Sequence, residues 1–353
     1  MNDLNALVDE RIALETRLQN EKGELSPASS GSYEAEYTAL QRKLAALFKQ
    51  TGGERERITV MLELMRILEN RLVYLHDFVV DATPDHRLLA QLVTRFIDEI
   101  AGSTVLTKLE ATYYRGVAAL YAGDVATARN AFSDACASEE SDEANDIKYK
   151  SYVILGYLSH EERDYVKAKE LHDRSLRYTQ NNNVTAQALA LGALNAYAIG
   201  DHDEALHKFQ EALQLFDAAQ PFFNSYFHRN ALLFCAGIHF DRRDYETAEK
   251  FYRSVLENVE QNSYDAFDAL THLGRIQYAQ QRWDDAVVAF EKAVETHRFN
   301  ENEYLVDTWF WLARTHLKRE RADDARPYLE KIAATDVKYD KKSQAVELLQ
   351  KIA

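Results

Sequence analysis

The histidines and carboxylates come closest to chemically useful spacing, and none of them completes a site. His160-Glu161-Glu162 opens like a zinc-binding helix, but the second histidine such a helix needs one turn later is missing. His202 and His207 are five apart, a spacing that turns two side chains away from each other on a helix. Both sets read as ordinary turn or surface histidines. There is no Gly-rich phosphate loop followed by Lys-Ser or Lys-Thr, no G-x-S-x-G and no H-E-x-x-H. The acidic pairs Asp284-Asp285 and Asp323-Asp324 stand where helices begin, where carboxylates favour the helix N-terminus. The expectation is a chain with no catalytic residues, no metal and no cofactor.

The elements around these residues are helical. Four prolines, twelve glycines and abundant Leu, Ala, Glu and Gln favour helix almost throughout, and strands have no obvious place. A formal net charge of −15 argues against nucleic-acid backbones and anionic membranes, which both select a basic footprint. Basic or amphipathic protein partners fit better. No apolar run approaches the ~18–20 residues of a membrane helix, and Met1-Asn2-Asp3-Leu4 opens neither basic nor apolar, so no signal peptide is expected. The expectation is a cytoplasmic chain without membrane insertion. Cys136 and Cys235 fit it as buried small hydrophobes too far apart to pair.

A sixfold echo organises the second two thirds of the chain. One copy reads Gly116, Ala119, Gly123-Asp124, Ala128, Phe132, Ala135, and the next Gly156, Ser159, Arg163-Asp164-Tyr165, Ala168, His172, Ser175. The others carry Ala193, Gly200-Asp201, Ala205 and Phe209; Ala236, Arg243-Asp244-Tyr245, Ala248 and Tyr252; Gly274, Gln281-Arg282-Trp283, Ala286 and Phe290; and Ala313, Glu320-Arg321, Ala325 and Leu329. Small residues lead each copy so that one helix can approach the next, and large ones fill the seam. The pattern resembles the tetratricopeptide repeat, two antiparallel helices joined by a short turn. Copies begin near 109, 149, 186, 229, 267 and 306, a spacing of about 37 to 43 residues against about 34 in the short form. Longer helices or longer connections must absorb the difference. The resemblance implies an all-α, right-handed solenoid over 104–337, and Ala345, Leu348, Leu349 and Ile352 predict a capping helix within 338–353.

Before the repeats the period changes. Ile58, Met61, Met65, Leu68, Leu72, Leu75 and Val79 alternate steps of three and four, which predicts one long helix with a coiled-coil-like seam. Tyr33, Tyr37, Leu40, Leu44 and Leu47 make a second stripe, and Leu4, Leu7, Leu14 and Leu18 a weaker one broken by Arg11. A fourth helix is expected over 85–100 with Leu89, Val93, Phe96 and Ile100 inward and Pro84 in its first turn. The helices of 33–103 read as a self-contained bundle or, through the Ile58 to Val79 seam, as a homodimer interface. Residues 21–32, with Gly23, Pro27 and Ser-Ser-Gly-Ser, read as a flexible linker that leaves a helix over 1–20 free to stand apart. Further connections are expected at the acidic run 138–146, at 181–183 and at Gln220-Pro221.

The resemblance also implies where a partner would sit, on the outer face of each first helix. The corresponding positions are Glu110, Tyr113, Val117, Leu120 and Tyr121; Lys150, Val153 and Tyr157; Gln187, Ala190, Leu194 and Tyr197. They continue through Asn230, Leu233 and Phe240; Asp268, Thr271, Arg275 and Tyr278; Asp307, Phe310, Arg314 and Lys318. The two-Lys, two-Asn, one-Arg clamp by which chaperone-binding relatives hold a C-terminal carboxylate is absent, since Tyr113, Val117, Ile154, Gln187 and Leu191 stand at its offsets. An aromatic lining ending in Arg275, Arg314 and Lys318 suits a protein segment with apolar anchors and an acidic end. Packing of the same aromatics against each other, or under an N-terminal helix folded into the groove, is the alternative. The leading expectation is a non-catalytic scaffold or adaptor that binds a protein or peptide, with the N-terminal helices serving self-association or a second partner. A peptide-sensing regulator, built like the bacterial response-regulator phosphatases with a bundle before the repeats, and a structural subunit of a larger complex are the other two readings.

Overall fold

A computed structural model describes residues 2–20, 27–74, 84–100, 104–139, 141–218, 225–259, 263–297 and 300–352. Every regular element among them is helical. Four helices come first: α1 (Asn2–Asn20), α2 (Pro27–Gln50), α3 (Glu54–Tyr74) and α4 (Pro84–Glu99). Six antiparallel pairs follow: α5 (Lys108–Ala122) with α6 (Val125–Cys136), α7 (Asp142–Glu161) with α8 (Tyr165–Ser175), and α9 (Asn182–Ala198) with α10 (His202–Ala218). The remaining pairs are α11 (Ser225–Asp241) with α12 (Tyr245–Asn258), α13 (Tyr264–Ala279) with α14 (Trp283–Thr296), and α15 (Glu303–Lys318) with α16 (Ala322–Ala334), before a last helix, α17 (Lys342–Lys351). Helices α1–α10 make one compact unit and α11–α17 a second.

The small-against-large rule is visible in the seams. A Cβ on Gly116 would stand 2.9 Å from the Phe132 ring, one on Gly274 2.6 Å from Phe290, and one on Gly156 2.2 Å from His172. Where alanine replaces glycine, at Ala193, Ala236 and Ala313, the methyl is wholly buried. Each pair closes through the same turn. Its αL residue is followed by an N–H that donates to the carbonyl five residues back, at 2.8 or 2.9 Å in all six copies, from Asp124 to Ala119 through Arg321 to His316. Asp124, Asp164, Asp201 and Asp244 then cap the second helix by accepting from the backbone N–H three residues on. That is why Gly-Asp and Arg-Asp recur in the sequence.

Part of the excess repeat length lies in α7, which has twenty residues, and in α10, which has seventeen. Two expected connections are therefore helix. Within the acidic run, Ser141 caps α7, and Asp142, Glu143 and Asp146 belong to the helix. Asn181 caps α9, whose first residues are Asn182 and Asn183. Pro27 to Ser32 of the expected linker are likewise the first residues of α2; residues 21–26 and Gln220-Pro221 lie outside the described residues.

The expectation of a free first helix is also corrected. Leu4 and Leu14 are buried in the core shared with α2 and α3, and Arg11, the residue that breaks the apolar stripe, reaches Glu63 of α3 at 3.2 Å. Lys43 of α2 holds Glu10 at 2.7 Å. In α3, Met61, Met65 and Leu68 are fully buried and Ile58 packs against the same core. That part of the seam is filled by this chain's own helices, not offered to a second copy. Leu72 falls within α3; Leu75 and Val79 lie outside the described residues. The capping helix α17 buries Ala345 against the last pair, with Leu348, Leu349 and Ile352 packed around it.

A buried polar chain joins the second pair to the third. The His172 ring is 1% exposed; its Nε2–H donates to the Val153 carbonyl at 3.3 Å, and its Nδ1 accepts from Asn195 Nδ2 at 2.9 Å. Asn195 also donates to the Leu191 carbonyl at 2.8 Å and accepts from His160 Nδ1 at 2.8 Å. Burial, opposed by the Val153 hydrogen bond, pushes the His172 imidazole down to about 4.

Two predictions follow from these turns and this chain. Arg243 and Gln281 adopt φ of 62° and 61° at the turn position that Gly123 and Gly200 fill in other copies. Arg243→Gly and Gln281→Gly should each raise stability by ~0.5–1 kcal/mol, the relief of left-handed strain less the added freedom of the unfolded chain. Urea midpoints would register the gain, and a loss would show that the strain is already relaxed. For His172, the folded pKa lies below the unfolded one, so its contribution is complete above about 6.5 and is lost as pH falls towards about 4. The stability difference between the wild type and His172→Gln should shift by ~2–3 kcal/mol between pH 7 and pH 4.5, to the detriment of the wild type. Denaturation at the two pH values checks it.

Candidate interaction surface

The first helices of the pairs carry the candidate face, and it is covered in the first pair. Glu69 of α3, itself buried, accepts from the Tyr113 hydroxyl at 3.2 Å and from Tyr114 at 3.4 Å, and it pairs with Lys150 of α7 at 2.6 Å. Asp146 holds the same ammonium at 2.6 Å, and the Tyr121 hydroxyl donates to the Leu68 carbonyl at 3.1 Å. Burial and then the Glu69 carboxylate raise the Tyr113 phenol well above its ordinary range. Burial disfavours the Lys150 charge, but Glu69 and Asp146 outweigh it and hold this ammonium above its usual value. Tyr113 and Val117, expected to meet a partner, are thus core residues between the bundle and the first pair, and Leu120 and Tyr121 are buried with them. Glu110 serves as the N3 member of a capping box with Thr107.

Further along the first unit the face is half open. Val153 and Ala190 are buried, and Gln187 accepts from the Tyr149 hydroxyl at 3.0 Å. Tyr157, Leu194 and Tyr197 are half-buried. Tyr157 packs edge-on to His172 at 5.6 Å and Tyr197 edge-on to His202 at 4.8 Å, so each ring is also part of the local packing.

In the second unit the face combines rings with cations. Phe240 of α11, Arg275 and Tyr278 of α13, and Trp311 and Arg314 of α15 are all half-buried. The Arg275 guanidinium lies 5.0 Å from the Phe240 centroid and 5.5 Å from Trp311. Arg314 lies 5.0 Å from Trp311 and 5.5 Å from Tyr278. The Tyr278 and Trp311 rings meet edge to face at 5.2 Å. Such cation–aromatic contacts are worth ~0.5–2 kcal/mol and fix where a guanidinium points. Asp307 closes one end, accepting from Trp311 Nε1 at 3.0 Å and the Tyr339 hydroxyl at 2.7 Å and pairing with Lys341 at 2.7 Å. Burial first, then Asp307, pushes the Tyr339 phenol far up. Leu233 is half-buried on α11, Lys318 is exposed at the end of α15, and a Cβ on Gly237, one turn from both Leu233 and Phe240, would meet nothing within 4 Å.

Two expected lining residues of this unit turn inward: Phe310 is 1% exposed, and buried Thr271 contacts Thr308 at 3.1 Å. Trp311, Tyr339 and Lys341 were missed. Trp311 is recoverable from helical spacing, because positions 307, 311, 314 and 318 share one stripe while 310 falls beside it. Tyr339 and Lys341 come from the connection between α16 and α17, for which repeat offsets carry no signal. Among the described residues no group of three or more His, Cys, Asp or Glu is placed to hold a metal ion, and no helix is long and apolar enough to cross a membrane.

The family model for the tetratricopeptide repeat matches residues 191–263, 255–302 and 273–339. No curated protein matches the chain. Among solved structures, the apo form of RapI is similar with a TM-score of 0.57 at 13% identity, covering 82% of this chain and 79% of that one. The apo form of the quorum sensor NprR from B. thuringiensis is similar with a TM-score of 0.52 at 16% identity, covering 81% and 79%. Both likenesses speak to the fold alone. The matched segments run from α9 past α16, so residues 191–339 are tetratricopeptide repeats, and the two pairs before them close through the same seam and turn.

Proposed function

We propose that this chain is a non-catalytic protein-interaction scaffold that holds a segment of a partner protein on the first-helix face of its second unit. The observation that carries the reading is the half-exposed group Phe240, Tyr278 and Trp311 beside the open space at Gly237. Aromatic anchors beside a vacant strip of helix are what an apolar side chain of a partner needs. The face in the first pair lacks that property, because α3 already occupies it. A few such anchors support an affinity on the order of micromolar, about −8 kcal/mol. Tyr157, Leu194 and Tyr197 would make a second, shallower contact region on the first unit, and Leu233 and Lys318 flank the main one.

A second reading is a regulator in which capture of a peptide on the repeats is felt by the bundle. The Glu69–Lys150 pair, which ties α3 to α7, favours it, and the fold shared with a quorum sensor is in keeping with it. A structural subunit of a larger complex would use the same face.

Affinity capture from a lysate with the intact chain, Gly237→Phe and Tyr157→Ala/Tyr197→Ala separates the regions. Gly237→Phe puts a ring into the strip from a position where a Cβ meets nothing within 4 Å, and should abolish retention while leaving the helical circular dichroism and thermal midpoint intact. The tyrosine double variant should weaken retention by less than tenfold. Unchanged capture by Gly237→Phe would sink the reading.

A further inference from the structure

We infer that Arg275 and Arg314 form a receptor for paired carboxylates, so that the segment held on this face is acidic next to its apolar anchor. The inference rests on the reading of that face as the binding one and adds the chemistry of the ligand. Both guanidinium groups stand against the same indole, Arg275 at 5.5 Å from the Trp311 centroid and Arg314 at 5.0 Å. Their other contacts are also aromatic: Phe240 for Arg275, and Tyr278 and Phe310 for Arg314. Among the described residues neither group makes an ion pair or a hydrogen bond.

The carboxylates nearby are already committed. Asp307 takes Trp311, Tyr339 and Lys341, and Asp268 lies 3.4 Å from His272 Nδ1. Other half-buried or buried arginines of this unit are paired: Arg282 holds Glu249 and Asp285, Arg319 holds Asp284, and Arg229 forms a buried pair with Asp265. In a chain of net charge −15, carboxylates are abundant, yet these two half-buried guanidinium groups have none. A guanidinium held against aromatic rings and lacking an ion pair keeps N–H donors for a carboxylate, which it can bind through two parallel hydrogen bonds. Residues i, i+2 and i+4 of an extended segment project to the same side, so two acidic side chains and an apolar one at alternate positions would reach the two arginines and the anchor site from a single strand. The negative charge of the rest of the chain opposes loose association with acidic chains in general and leaves recognition to this local pair.

Two probes test it. The first is a fluorescein-labelled octapeptide with two glutamates and a phenylalanine at alternate positions, compared by anisotropy with its twin in which both glutamates are glutamine. The intact chain should prefer the glutamate peptide by at least tenfold, and the preference should fall below twofold in Arg275→Gln/Arg314→Gln and weaken as salt is raised. Equal binding of the twins by the wild type, or a preference that survives in the double variant, would overturn the inference. The second probe is triglutamate, which has no apolar anchor and reads the arginines alone through tryptophan emission. A saturable change with triglutamate and none with triglutamine supports the receptor even if neither octapeptide binds, in which case it is the anchor reading that has failed. No response to triglutamate, or an equal response to inorganic phosphate, overturns it without recourse to any variant.

Discussion

In three of the repeats a ring from the second helix stands so close to a glycine of the first that the distance between helices is set by what stands beneath it. Under Phe132, Phe290 and His172 there is room only for hydrogen, which is why Gly116, Gly274 and Gly156 occur there. In the copies with Phe209, Tyr252 and Leu329, the same position of the first helix is an alanine, and all of these side chains are buried. This contact fixes the crossing of each pair and so the direction in which the first helices present their outer faces. The turn that follows has to reverse the chain within that crossing, and the left-handed residue does so, joined in four of the six copies by a capping aspartate. Every surface side chain discussed above is aimed by this sequence of constraints.

Within that framework, the two units treat the same surface differently. In the first, a bundle helix supplies Glu69, and burial is made tolerable because Tyr113, Tyr114 and Lys150 satisfy the carboxylate from two different repeats. In the second, aromatic rings support cations that lack carboxylate partners. A covered face contributes to stability, and an uncovered one with oriented charges can contribute to recognition.

The helix pairs were legible because their determinants are local: the Gly-Asp turn, the small residue and its large partner recur within one repeat. The bundle helices were legible for the same reason, from steps of three and four. What escaped was set by contacts distant in sequence. Arg11 looked like a break in an apolar stripe until Glu63 was seen beside it, more than fifty positions away. Tyr113 looked like a ligand contact because nothing near it announces Glu69. The acidic run before Asp146 read as loop from its charge, although carboxylates in a first turn favour a helix start. At the candidate face, Arg275, Arg314 and Tyr278 were found from offsets, while Trp311 was displaced by one residue because Phe310 satisfied the same rule with the opposite orientation.

The chain from His160 through Asn195 to His172 has a consequence for how such an array can diversify. Repeat proteins change length by duplicating or exchanging units, which works when each unit is closed to its neighbours except through apolar contact. Here the imidazole of one unit draws a hydrogen bond from the amide of the next, and that amide is answered by a second imidazole back in the first. Excision, shuffling or substitution of either unit would strand a polar group in a dry interior. The second and third repeats are therefore coupled, and exchange of either alone has to supply a new partner for the stranded group.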